Sequence, residues 1–338
     1  MKARGSDFFD SIRRIVNYLL RLIYINRMTL RVLHKKVGFS ESIIERVILL
    51  VGMQGSMSVL MDSLKGNGFN VVCAGSPDEV EGIIDGKSPD LVISELNGVP
   101  SGDNLTSFEI LQKKFPYAEQ VIITGSSVDQ FIPLMRRYNI GNVLLAGSEK
   151  EREETYSYLR SILIDNMCGL GHYFSEEKLK VMSIQSYAQA KEACNSITGV
   201  FPGKKSIFLE IALDELISNA FFHATLRLSG LPRECWLKYS EVKPDCPIRL
   251  TWAYDEEKVG VSVIDFQGNL RKADVLKWLD TFREGFAVEE HGRGFLLVRR
   301  LIDRMIIDIK PGKRTECIAI QYFSRQSSDN KPLMIHES

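Results

Sequence analysis

Glu215 and Asn219 stand four residues apart within Ile207–His223, where Ile207, Ile211, Leu216, Ile217 and Ala220 recur at helical spacing. Residues so spaced project from one side of a helix, so a carboxylate and a carboxamide can share one small site. The amide oxygen of Asn219 suits Mg²⁺, a hard cation that takes oxygen ligands. Glu215 suits a base that orients or deprotonates a nucleophile beside a γ-phosphate. Further along, the strand pattern Val259–Ile264 runs into Asp265-Phe266-Gln267-Gly268-Asn269. A carboxylate at a strand end can accept a hydrogen bond from an adenine amino group, and Gly268 lets backbone approach the ring closely. Gly292, Arg293 and Gly294 then open a helical pattern that continues to Ile302. Glycines at a helix start expose backbone N–H groups to a phosphate chain. Lys313-Arg314-Thr315 opens a last strand, from which the Thr315 hydroxyl can reach the base.

The ordered set E-x-x-x-N, D-x-x-G, G-x-G at a helix start and Thr resembles the Bergerat-fold ATPases over residues 170–323. That group includes histidine kinases, gyrase-type topoisomerases and anti-sigma-factor serine kinases. The chain departs from the usual D-x-G-x-G, because Gln267 and Asn269 occupy two glycine positions. The resemblance implies ATP and Mg²⁺ as cofactors, and an ATP lid over residues 270–291 that is helical from Val275 to Phe282. It also implies roles: Glu215 as catalytic base, Asn219 as metal ligand, and Asp265, Gly268, Gly292, Arg293, Gly294 and Thr315 as nucleotide contacts. A self-contained histidine kinase needs a two-helix hairpin bearing its phosphoacceptor before this domain. Here His172 sits in a turn-like Gly-Leu-Gly-His, followed by one helical pattern (Ile184–Ile197), and Val181–Ser196 reads as the domain's first helix. The order is closer to the serine-kinase branch, whose partner would be a small anti-anti-sigma-like protein. The alternatives are a nucleotide-gated binding module without catalysis and a histidine-kinase-like subunit acting on a separate protein.

Residues 46–166, ahead of that domain, alternate short β-branched runs with helical stretches. Arg46–Val51, Asn70–Ala74, Leu91–Ser94, Val121–Thr124 and Asn142–Leu145 read as strands, and Ser56–Leu64, Asp78–Ile84 and Glu149–Ile164 as helices between or after them. Such β-α alternation predicts a doubly wound parallel sheet with its functional edge at the strand C-termini. The region resembles the receiver domain of two-component response regulators, most clearly in Pro89-Asp90-Leu91-Val92-Ile93-Ser94-Glu95-Leu96. The family's phosphoacceptor Asp is Glu95 here, its metal-binding acidic pair is Met53-Gln54, and its Lys falls at Ala146-Gly147; Thr124 keeps the switch hydroxyl. The resemblance therefore implies a pseudo-receiver used for docking or dimerisation. Glu95 is either a solvated carboxylate or an imitation of a phosphorylated side chain.

The expected fold class is thus α/β: a doubly wound pseudo-receiver over 46–166, then an α/β sandwich with a mixed, mainly antiparallel sheet over 167–325. Residues 1–45 read as a basic amphipathic helical arm, with Phe8, Ile12, Ile15, Leu19, Leu22 and Ile23 on one face. Such an arm suits an anionic membrane surface, an acidic partner, or packing on its own chain or a second copy in a homodimer. Residues 326–338 read as a disordered polar tail. Across the 338 residues, 43 Lys and Arg balance 43 Asp and Glu, so no global charge favours nucleic acid. Six scattered cysteines form no C-x-x-C pair, which fits reduced thiols in a cytoplasmic protein.

Overall fold

The computed structural model describes residues 46–338 except 53–55, 81–87, 99–101, 164–168, 200–203, 229–232, 244, 282–292 and 325–329. The expected arm over 1–45 lies outside the described residues, as does most of the expected helix Asp78–Ile84. The chain divides at Arg46, and Val47–Ser338 forms one unit.

Five short strands open that unit: β1 (Val47–Val51), β2 (Asn70–Ala74), β3 (Leu91–Glu95), β4 (Glu119–Thr124) and β5 (Asn142–Leu145). They are parallel and lie in the order β2-β1-β3-β4-β5. All five residues of β1 and all four of β5 are buried, as a parallel sheet covered on both faces requires, and the one polar residue among them, Asn142, bonds Glu119 and Tyr158. The described helices of this half are α1 (Ser56–Gly66), α2 (Gly102–Lys114), α3 (Ile132–Tyr138) and α4 (Glu149–Leu163). This strand order is the flavodoxin-like doubly wound one, which receiver proteins share.

The rest of the chain builds an antiparallel array from β6 (Lys180–Ile184), β7 (Ile248–Tyr254), β8 (Lys258–Asp265), β9 (Arg304–Lys310) and β10 (Arg314–Tyr322). Between them run α5 (Tyr187–Thr198), α6 (Lys204–Ser218), α7 (Lys272–Thr281) and α8 (Arg293–Leu301). The period-2 alternation sorts this sheet's faces. Val261, Val263, Ile307, Ile309, Cys317 and Ala319 join Leu209, Leu213, Leu216 and Val298 of the helices in one core. On the opposite face, buried Asp308 and Glu316 are tied by Arg314, at 2.6 and 3.1 Å. Ser262 and the Gly169 N–H also donate to Glu316, and His336 bonds Asp308. Each buried carboxylate therefore has several partners, which such burial demands.

Two expectations need correction. Residues 326–338 are not a disordered tail: Leu333–Glu337 is a strand, β11, with Leu333 and Ile335 fully buried. It pairs parallel with β9 and antiparallel with β5, so the eleven strands among the described residues make one sheet with β11 at its centre. The polar run before it masks a strand of only five residues. Nor does a helix begin at Val181. Lys180–Ile184 is a strand paired with β7, and its outer position leaves Val181 63% exposed. The helix starts after Ser186, whose backbone is extended and whose hydroxyl accepts from the Gln189 N–H. Among the described residues no helix is long and apolar enough to cross a membrane.

Candidate functional site

Helix α6 carries Glu215, and Asn219 begins a seven-residue π-helical continuation to Thr225. There the Leu226 N–H reaches the Phe221 carbonyl at 2.9 Å, and the Thr225 hydroxyl donates to Ala220 O at 2.8 Å. The wider turn sets consecutive side chains at a smaller angle, which lets both Phe221 and Phe222 point inward. Their rings meet edge to face at 5.2 Å, and Tyr187 and Trp236 pack on Phe222 at 4.8 and 5.1 Å. His223, one turn beyond Asn219, meets Trp236 at 4.6 Å. This aromatic packing fixes the helix and leaves Glu215 and Asn219 half-buried.

The start of α8 comes up against that pair. A Cβ placed on Gly294 would lie 2.7 Å from Glu215 Oε2 and 3.1 Å from Asn219 Nδ2. Any larger residue at 294 displaces those two side chains. Helix α8 is seated by buried Phe295 and Val298, and Phe295 stacks on Trp278 of α7 at 5.9 Å and 11°. Gly292 lies outside the described residues, and the backbone of Arg293 opens α8.

A second group forms at the ends of β8 and β10, where Asp265 is the register partner of Thr315. Asp265 is buried, and its Oδ1 accepts from the N–H groups of Gln267 at 2.9 Å and Gly268 at 3.1 Å. Burial raises its pKa, and the two N–H groups offset part of that rise. The buried Thr315 hydroxyl is near enough to favour the carboxylate, yet it meets no acceptor in hydrogen-bonding geometry. Gly268 is left-handed (φ +59°), and a Cβ there would lie 2.5 to 2.8 Å from backbone atoms of Lys310, Lys313 and Arg314. The glycine is thus required by the β9–β10 turn that packs on it. Gln267 and Asn269 reach Arg227 and the Ala224 carbonyl at 3.5 Å. Their side chains tie this loop to the end of the π segment.

The fold therefore joins Glu215, Asn219 and Gly294 in one group, and Asp265, Gly268 and Thr315 in another. The loop contacts place the two groups on adjoining elements. Among the described residues no cluster of three His, Cys, Asp or Glu could hold a metal. A Mg²⁺ at Asn219 would take most of its ligands from phosphate and water, as that ion commonly does. Of the expected lid, residues 282–291 lie outside the described residues.

At the receiver-like edge, Glu95 ends β3 and Thr124 ends β4. Both line a cavity of about 310 Å³ with Val59, Asn97, Ala146, Gly147 and Arg152. Asn97 donates to Glu95 Oε1 at 3.2 Å, and the Thr124 hydroxyl accepts from the Ser126 N–H at 3.0 Å. Ala146 and Gly147 follow β5 and line this cavity, whereas Met53 and Gln54 lie outside the described residues. Sequence reasoning missed Arg152, the cavity's cation, because it enters from α4, several residues past the position the family motif marks.

No protein-family model matches this sequence, and no curated protein matches it. Solved structures with similar chain arrangement include a response regulator from Thermotoga maritima. It is 12% identical, with 35% of this chain and 98% of that one covered and a TM-score of 0.30. The signal receiver domain of an HD domain-containing protein from Pseudomonas fluorescens Pf-5 is 18% identical (36% and 96% covered, TM-score 0.29). An uncharacterized protein from Neptuniibacter caesariensis is 25% identical (39% and 95% covered, TM-score 0.30). These likenesses extend over little more than a third of this chain; the receiver-like fold stands on the strand order of β1–β5 itself.

Proposed function

We propose that residues 170–323 bind Mg-ATP and transfer its γ-phosphoryl group to a Ser or Thr hydroxyl of a partner protein, with the receiver-like half as a regulatory or docking body. The observation that carries this reading is the approach of Gly294, at the start of α8, to Glu215 and Asn219. It brings a candidate base, an amide oxygen and helix-start N–H groups to one point. Asp265 Oδ1 is already occupied by two backbone donors, so Oδ2 is the oxygen an adenine amino group would meet. Thr315, with a buried and unsatisfied hydroxyl beside it, would complete the base contacts. Gly292 and Gly294 would present N–H groups to the phosphates, and Asn219 would hold Mg²⁺ through its amide oxygen. The nucleotide and its metal supply the transferable phosphoryl group and the charge that neutralises it. Glu215 would orient the acceptor hydroxyl and take its proton.

The test uses the full chain, with equilibrium Mg-ATP binding measured beside ³²P transfer to proteins of a cell extract. Glu215→Ala should keep nucleotide binding and lower transfer by about 10²–10⁴-fold, because a base acts mainly in the transition state. Asn219→Ala should lower both. Failure of the wild-type chain to bind Mg-ATP sinks the reading. Binding without any labelled partner leaves a nucleotide-gated module and removes the kinase step.

A further inference from the structure

The segment 330–338 touches two helices of the candidate nucleotide domain, α7 and α8. Glu337 Oε2 accepts from the Lys272 N–H at 2.8 Å, where α7 begins. Lys331 Nζ donates to the carbonyls of Arg300 at 2.7 Å and Arg299 at 3.3 Å, near the end of α8. The buried Arg299 guanidinium returns bonds to the carbonyls of Pro332 and Lys331, both at 3.1 Å. The same segment grips the loop after β4. Asn330 accepts from the Val128 N–H and donates to Ser126 O, each at 2.9 Å, and Arg299 pairs with Asp129 at 2.8 Å. Ser126 is the residue whose N–H the Thr124 hydroxyl accepts. A bonded path thus runs from the receiver-like edge cavity through 330–338 to α7 and α8.

We propose that residues 330–338 are a brace that couples the 124–129 edge of the receiver-like half to the positions of α7 and α8. Through α8 it sets how closely Gly294 approaches Glu215 and Asn219. The brace is weakly held on one side, since β11 shares four register pairs with β9 but only two with β5. Its docking depends on one residue that no local pattern marks. The Gly141 carbonyl accepts from the Ile335 N–H at 3.0 Å, and a Cβ on Gly141 would lie 1.7 Å from Ile335 O. That overlap is with backbone, so either the Gly141 loop or β11 must move to relieve it. The effect on nucleotide rests on the function proposed above; the effect on the helices does not.

The experiment compares full-length wild type with Gly141→Ala and with the double variant Lys331→Ala/Glu337→Ala, which has no steric conflict. Hydrogen exchange of Lys272–Thr281 and Arg293–Leu301 is read without nucleotide, with α1 as an internal control for folding. Mg-ATP affinity is read in parallel. Both variants should speed exchange in α7 and α8 while α1 keeps its protection. Both should weaken Mg-ATP by about tenfold, the equivalent of one charge-assisted contact. Faster exchange confined to 330–338, with α7 and α8 unchanged, overturns the brace. If Gly141→Ala fails to fold, the double variant decides. If wild type binds no nucleotide, the ATPase reading falls and exchange alone decides the coupling.

Discussion

Gly268 and Gly312 form a matched pair of perturbations. Both are left-handed, at φ +59° and +69°, and they lie in the same small region, with the Gly312 N–H bonded to Gly268 O at 3.0 Å. A Cβ on Gly312 meets nothing within 4 Å, whereas on Gly268 it meets three backbone atoms at 2.5 to 2.8 Å. Gly312→Ala therefore carries the left-handed penalty alone, about 1–2 kcal/mol. Gly268→Ala adds an overlap that only backbone movement relieves, typically costing about 1–3 kcal/mol, so its total should reach roughly 2–5 kcal/mol. The shift must come from the Lys310–Arg314 turn, so Thr315 should move relative to Asp265 and nucleotide affinity should fall with stability. The assay is urea unfolding of the full chain beside Mg-ATP binding. Equal destabilisation by the two alanines, within about 0.5 kcal/mol, would refute the close-approach reasoning and free Gly268 from any part in shaping the site.

Two further predictions concern the carboxyl groups. Burial lifts the Asp265 pKa above its ordinary 3.8, so the folded chain keeps that proton to higher pH than the unfolded chain does. Asp265 therefore contributes stability at acid pH that is lost as pH rises from about 3.8 through the folded value. Nucleotide binding should run the other way, falling as pH drops and the acceptor is protonated. Calorimetry over a pH series should show that acid limb, and Asp265→Asn should abolish it and weaken binding about ten- to a hundredfold. An unchanged profile in the mutant excludes Asp265 from the base contact. At the other site, acetyl phosphate with Mg²⁺ should label no residue of the β3–β4 edge, because Glu95 replaces the acceptor and Ala146-Gly147 supply no lysine. Stable phosphate mapped to Glu95 by mass spectrometry would overturn the pseudo-receiver reading.

Much of this was legible because it is periodic or local. The runs Val47–Val51 and Val143–Leu145 are apolar throughout, as a doubly covered strand needs to be, and the strands were readable to within one residue. Glu215 and Asn219 lie on one helix, so their common side follows from spacing. Gly294's approach to them follows only from α8 packing on α6, which no local rule derives. The π turn at Asn219 escaped notice because its cause is the joint burial of Phe221 and Phe222 with Tyr187 and Trp236, two of them distant in sequence. Strand β6 was missed because an edge strand with three exposed residues carries little apolar alternation. Strand β11 was missed because five residues are too few to declare a period, and because what demands it are the open edges of β5 and β9.

Those two edges also bear on how the chain is made. Synthesis delivers β5 and β9 well before β11, and each then presents unpaired N–H and C=O groups along one side. Open strand edges invite pairing with another chain. The nascent protein is thus exposed at the middle of its future sheet until Leu333–Glu337 emerges, and two ladders far apart in sequence must close around that one short strand. Pairings of such long range close slowly. Aggregation during expression should therefore track the interval between translation of Lys310 and insertion of Leu333, and a chaperone that shields strand edges would act on this protein within that interval.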